Sequence, residues 1–139
     1  MDKIHYNFLD VQIPDFDPEF FDLWLNVVVD SYNKNLEELS FVFCSDEELL
    51  KINQVHLEHD YYTDVITFNY NDKDSLCGDI YVSYDRVVEN ADEFSNGDEF
   101  DELCRVMVHG LLHLIGFDDK SEADKVIMRD QEEICLNKR

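Results

Sequence analysis

An apolar helix that carries two histidines four residues apart constrains this chain more than any other feature. The stretch runs His109-Gly110-Leu111-Leu112-His113-Leu114-Ile115-Gly116-Phe117-Asp118-Asp119. Side chains at that spacing project from one helical face about one turn apart, so both imidazoles can reach a single ion. Phe100, Leu103, Cys104, Val106, Met107, Val108, Leu111, Leu112, Leu114 and Ile115 make the helix apolar nearly all round. Such a helix is expected to be buried, and imidazoles on it need partners. Gly116 is placed to end the helix in a left-handed turn, having no Cβ to clash. The chain then turns back, and Asp119 can supply a third ligand. Three ligands with a fourth position open make a catalytic metal site, not a closed structural one. A bare His-x-x-x-His pair is more simply two satisfied polar residues on an amphipathic helix. Gly116 and Asp119 shift the reading to a metal-dependent hydrolase core.

The same motif lacks one group. Helical zinc proteases carry a glutamate general base directly after the first histidine, and this chain has Gly110 there. Peptide hydrolysis is therefore not the expected chemistry.

The chain has 139 residues with 45% hydrophobic content, enough for one core, so a single domain over residues 1–139 is expected. No apolar run follows a basic N-terminal segment or approaches membrane-spanning length, which predicts a soluble cytoplasmic protein without membrane association. Cys44, Cys77, Cys104 and Cys135 show no paired spacing, as expected of free thiols in a reducing compartment. Eleven basic against 33 acidic residues give a formal charge of −22, which argues against non-specific nucleic-acid binding. The excess negative charge sits entirely in residues 1–119. In the remainder, Lys120, Lys125, Arg129, Lys138 and Arg139 balance the acids. Lys125 and Arg129, one turn apart, can form a basic face beside the metal; a salt-bridged helix surface is the plainer alternative.

Periodicity predicts a strand over Ile4 to Val11, then a helix capped by Asp17 and opened by Pro18, with Phe20, Phe21, Leu23, Trp24, Val27 and Val28 as its apolar positions. Leu39 to Cys44 reads as a buried strand. Ser45 or Asp46 caps a helix running toward Leu57. Thr63 to Tyr70 and Gly78 to Tyr84 read as antiparallel strands around the loop Asn71-Asp72-Lys73-Asp74-Ser75. A short helix from Arg86, the histidine helix capped by Asp98, and a last helix opened by a Ser121/Asp124 capping box complete the chain. The order gives an α+β domain, a mixed four-stranded sheet with the helices on one side.

With the histidine motif, Thr63-Asp64-Val65-Ile66-Thr67-Phe68 and Gly78-Asp79-Ile80 in this order, the chain resembles the YbeY family of bacterial metal-dependent endoribonucleases. The likeness runs from about Asn53 to Glu133. It implies cleavage of single-stranded RNA near the 3′ end of small-subunit ribosomal RNA, ribosome quality control, and partners among the small subunit and its assembly proteins. It further implies a metal held by His109, His113 and Asp119, with zinc first and nickel or manganese as alternatives. Two departures stand out. Asp119 replaces the family's usual third histidine, with Asp118 as the competing ligand. Leu57 occupies the position of an arginine thought to assist at the phosphate, leaving Arg86, Arg105 or a residue of the terminal helix as substitutes, or the metal itself as the main neutraliser of phosphate charge.

His109, His113, Asp64 and Asp79 are the candidate catalytic residues. Asp64 and Asp79 are base or supporting candidates whose plainer role is strand-end capping, and Thr63 is placed to orient Asp64. His56 and His59 suggest a second metal site, although a solvated turn with Tyr61 and Tyr62 explains them more simply. Those tyrosines can also stack on unpaired bases. Met128 sits in a helical pattern and is expected in the core. Two other functions fit the same residues: a ribosome-assembly factor with a structural metal, or a metal hydrolase of another ester or amide.

Overall fold

The computed structural model describes residues 3–57, 63–73 and 75–139. Its elements are β1 (Ile4–Phe8), α1 (Pro18–Ser31), β2 (Asn35–Cys44), α2 (Asp46–Leu57), β3 (Val65–Asn69), β4 (Ser75–Ser83), α3 (Tyr84–Phe94), α4 (Glu99–Ile115) and α5 (Glu122–Leu136). The four strands form one mixed sheet in the order β1-β2-β4-β3, with β3 antiparallel to β4 and the other pairs parallel.

The helix starts follow from their capping residues. The Asp17 carboxylate accepts from the Glu19 and Phe20 amides, Asp98 from Asp101, and Ser121 with Asp124 forms a reciprocal capping box. At α2 it is Ser45, not Asp46, whose hydroxyl accepts from the Glu48 amide. Two strands begin earlier than periodicity indicates. β2 starts at Asn35 through a bulge between Leu36 and Glu38, and its exposed polar residues hide the strand pattern. β4 starts at Ser75, because the hairpin closes through an Asp72–Ser75 bridge. α3 begins at Tyr84, where Ser83 accepts from the Arg86 amide.

Helices cover both faces of the sheet, not one. Residues alternate across a strand, and on β4 the buried Leu76, Ile80 and Val82 join α1 and α4 in the main core. The opposite face meets α2, where Cys44, Leu49 and Ile66 form a smaller cluster with Ile52, Phe68 and Tyr81. α4 is flanked by α3 and α5. The buried Trp24 indole donates to the Cys135 carbonyl at 2.9 Å, tying α1 to α5. Met128 is buried in α5 as expected. All four cysteines are free, and burial pushes the Cys44 and Cys104 thiols up to about 12.

α4 sits close to the sheet because of Gly78. A Cβ there would lie 2.7 Å from the Phe68 carbonyl oxygen and 2.9 Å from Leu114 Cδ1. Gly78→Ala is therefore expected to cost about 1–3 kcal/mol through overpacking. The check is a lowered chemical-denaturation midpoint at unchanged m-value; an unmoved midpoint would contradict the close seating. Asn71 fixes the same end of α4, donating to the Leu114 carbonyl at 2.7 Å while accepting from the Cys77 amide at 2.8 Å.

Candidate metal centre

The last two turns of α4 and the turn after it build the site. Gly116 ends the helix at φ 127°, with its N–H shared between the Leu112 and His113 carbonyls. The backbone reverses there and brings Asp119 over the helix. His109 Nε2 and His113 Nε2 lie 3.1 Å apart. Asp119 Oδ2 is 3.2 Å from the first and 3.5 Å from the second. A tetrahedral ion with bonds of about 2.0–2.1 Å separates its ligand atoms by about 3.3–3.4 Å, so the three spans fit one ion. Among the described residues this trio alone forms such a group. The Asp118 carboxylate instead accepts from the Asp119 amide at 2.9 Å, shaping the turn.

The remaining imidazole nitrogens fix the tautomers. His109 Nδ1 lies 2.7 Å from Glu132 Oε2, and His113 Nδ1 lies 3.1 Å from the Phe117 carbonyl. Both partners are acceptors, so each Nδ1 carries the proton and each Nε2 turns a lone pair toward Asp119. Two lone pairs and a carboxylate oxygen converge, a donor set suited to a cation. Burial pulls the His109 pKa down, but the hydrogen bond and charge of Glu132, with Asp64 and Asp119, outweigh it and leave the pKa raised. Burial pushes Glu132 up, yet His109 and Arg105 hold it below the ordinary carboxylate value.

Behind Glu132 lies an ionic chain that the sequence reading missed. Arg105 donates to Glu132 Oε1 at 3.2 Å and to both Glu102 oxygens at 2.7 and 2.5 Å. Ser95 donates to Glu102 at 3.0 Å. Glu102, Arg105 and Glu132 are all buried. The available signal was a Glu/Arg pair three apart inside an otherwise apolar helix, which must find internal partners.

The other candidates scatter. Asp64 precedes β3 and contributes to the electrostatic environment of both His109 and Arg86. Thr63 donates to the Val65 carbonyl at 3.5 Å, not to Asp64. Asp79 is not brought to the trio. Gly78 faces Leu114 of α4, so its neighbour Asp79 faces the other way and lines a pocket with His56, Tyr70 and Tyr81. His56 meets Phe68 edge-on; His59, Tyr61 and Tyr62 lie outside the described residues. Arg86 is engaged with Asp46 at 3.0 Å, and Arg105 is committed to the buried chain. Leu57 is the last residue of α2.

A family model described as Endoribonuclease YbeY matches residues 10–139. A protein of that name from Bacteroides thetaiotaomicron is 43% identical over 126 residues, covering 91% of each chain. One from Flavobacterium psychrophilum is 50% identical over 110 residues, covering 79% of this chain and 78% of its own. A Thermotoga maritima protein determined in solution superposes with a TM-score of 0.70 at 27% identity, covering 97% of this chain and 87% of that one. No helix among the described residues is long and apolar enough to cross a membrane.

Proposed function

This chain belongs to the YbeY family of endoribonucleases, and from that premise we propose that it hydrolyses phosphodiester bonds of single-stranded RNA with a bound divalent metal. The substrate we assign is the 3′ end of small-subunit ribosomal RNA, in its maturation and in ribosome quality control. The small subunit and its assembly proteins are then the partners, in the cytoplasm, with residues 1–139 acting as one domain. The observation that carries the reading is the convergence of His109, His113 and Asp119 within one ion's reach.

Zinc is the assigned metal, since two imidazoles and a carboxylate suit it, while the carboxylate hardens the site enough to admit nickel or manganese. The ion would supply Lewis acidity toward the phosphodiester. His109 and His113 would hold it as neutral imidazoles, kept in that tautomer by Glu132 and Phe117. Asp64, whose charge reaches His109, is assigned to accept the proton of the attacking water. The water oxygen bonds to phosphorus as the bond to the leaving ribose oxygen breaks, and that oxygen takes up a proton from solvent. Asp79, across the sheet, has no part in this scheme.

Zinc-loaded protein is expected to cut single-stranded RNA from the ribosomal 3′ end and to lose the activity on chelation. Absence of cleavage, with unfolding when the metal is withdrawn, would support an assembly factor with a structural metal instead. The charge of −22 favours that second reading.

A further inference from the structure

We propose that Arg129 and Lys125 of α5 form a phosphate-binding pair that holds the RNA backbone beside the metal ligands. This rests on the nuclease reading above and names the contact through which an acidic protein takes a polyanion. A cavity of about 240 Å³ opens next to the trio, lined by Arg105, His109, Asp119, Lys125, Arg129 and Glu132. Of its cations, Arg105 is saturated by two buried carboxylates. Lys125 and Arg129 are not.

Arg129 is held in place without being used up. Its guanidinium carbon lies 4.9 Å from the Phe94 ring centroid, and one nitrogen sits 3.5 Å from Glu132 Oε1. Held over the ring, a guanidinium keeps N–H edges available for two oxygens of a tetrahedral phosphate. Among the described residues no other carboxylate lies within ion-pair distance of Arg129, and its side chain is 49% exposed. Lys125 meets Glu122 at 3.6 Å, but Glu122 is 93% exposed, a contact that a phosphate outcompetes easily. The rest of the molecule repels RNA, because residues 1–119 carry the whole excess of negative charge. A strand is therefore admitted where these cations border the cleft, which focuses it onto the metal.

The test measures equilibrium binding of a short single-stranded RNA to zinc-loaded wild type, Arg129→Gln, Lys125→Gln, Arg129→Lys and a Lys138→Gln control, across a range of salt. Zinc content and melting temperature are read for each protein, and cleavage is scored separately. Arg129→Gln is expected to bind roughly tenfold more weakly with zinc retained. Its log–log salt slope should shrink by about 0.7, the share of one single-strand phosphate contact. Lys125→Gln should move the same way, Arg129→Lys should recover much of the slope, and Lys138→Gln should match wild type. Unchanged affinity and slope in both glutamine variants overturn the pair even if RNA is cleaved. Loss of zinc in Arg129→Gln also overturns it, since Arg129 would then act through Glu132. If wild type binds through these residues yet cuts nothing, the pair stands and the nuclease reading fails.

Discussion

His113→Ala is expected to lower zinc affinity by about 10²–10³-fold and to abolish measurable RNA cleavage while leaving the metal-free fold intact. The size follows from the ion's total binding energy. Structural zinc contributes about 10–16 kcal/mol over four ligands, so one ligand is worth roughly 2.5–4 kcal/mol. The fold survives because His113 is only partly buried and its outer nitrogen meets one backbone carbonyl near the helix end, a bond worth about 1 kcal/mol net. Calorimetric zinc titration reads the affinity. Melting with and without metal reads the linkage, because a hundredfold loss of affinity removes about 2.7 kcal/mol of ligand-induced stabilisation. A variant that still binds one zinc at wild-type affinity would remove His113 from the ligand set and with it the basis of the proposed activity.

Why that trio was legible, and other parts were not, has a physical basis. A helix fixes residues four apart on one face regardless of the rest of the fold. Gly116 needs a backbone most residues avoid. The turn geometry of His109, His113 and Asp119 is thus largely local. Capping by Asp17, Asp98 and Ser121 was readable for the same reason. Asp79 was not, because its direction depends on which face of the sheet α4 covers, and that is set by Gly78 against Leu114. The helix layers were misjudged likewise: nothing local to α2 says that its Leu49 packs against Cys44 and Ile66 on the sheet face away from α4. Gly110, read as the absence of a protease base, also has a packing reason. A Cβ there would lie 2.7 Å from Ile80 Cγ2, so the position has no room for a glutamate. Glu132 was missed because its partners Arg105 and His109 lie 27 and 23 positions away. Only the isolated charges on apolar faces hinted that such partners existed.

That buried chain makes the second large prediction. Arg105→Met is expected to destabilise the protein by about 3–5 kcal/mol at neutral pH, since it strands Glu102 with only the Ser95 hydroxyl and strips one donor from Glu132. A carboxylate buried without its cation has a raised pKa, so folding then favours its protonated form. The cost should accordingly shrink as pH falls through that raised value, opposite to the loss of stability on acidification that the paired Glu132, with its lowered pKa, imposes on wild type. Zinc affinity should also drop, by about 10–100-fold, as Glu132 loses the guanidinium that orients it toward His109. The double variant Glu102→Leu with Arg105→Met removes the stranded Glu102 carboxylate together with the guanidinium and leaves Glu132 paired to His109. It is expected to recover most of the stability, as apolar replacements of buried ion pairs often do. Denaturant titrations of both variants at two pH values decide the matter. If the single and double variants lose the same stability, unpaired charge is not the cost, and the helix-to-helix ionic chain does not brace the metal ligands as the contacts indicate.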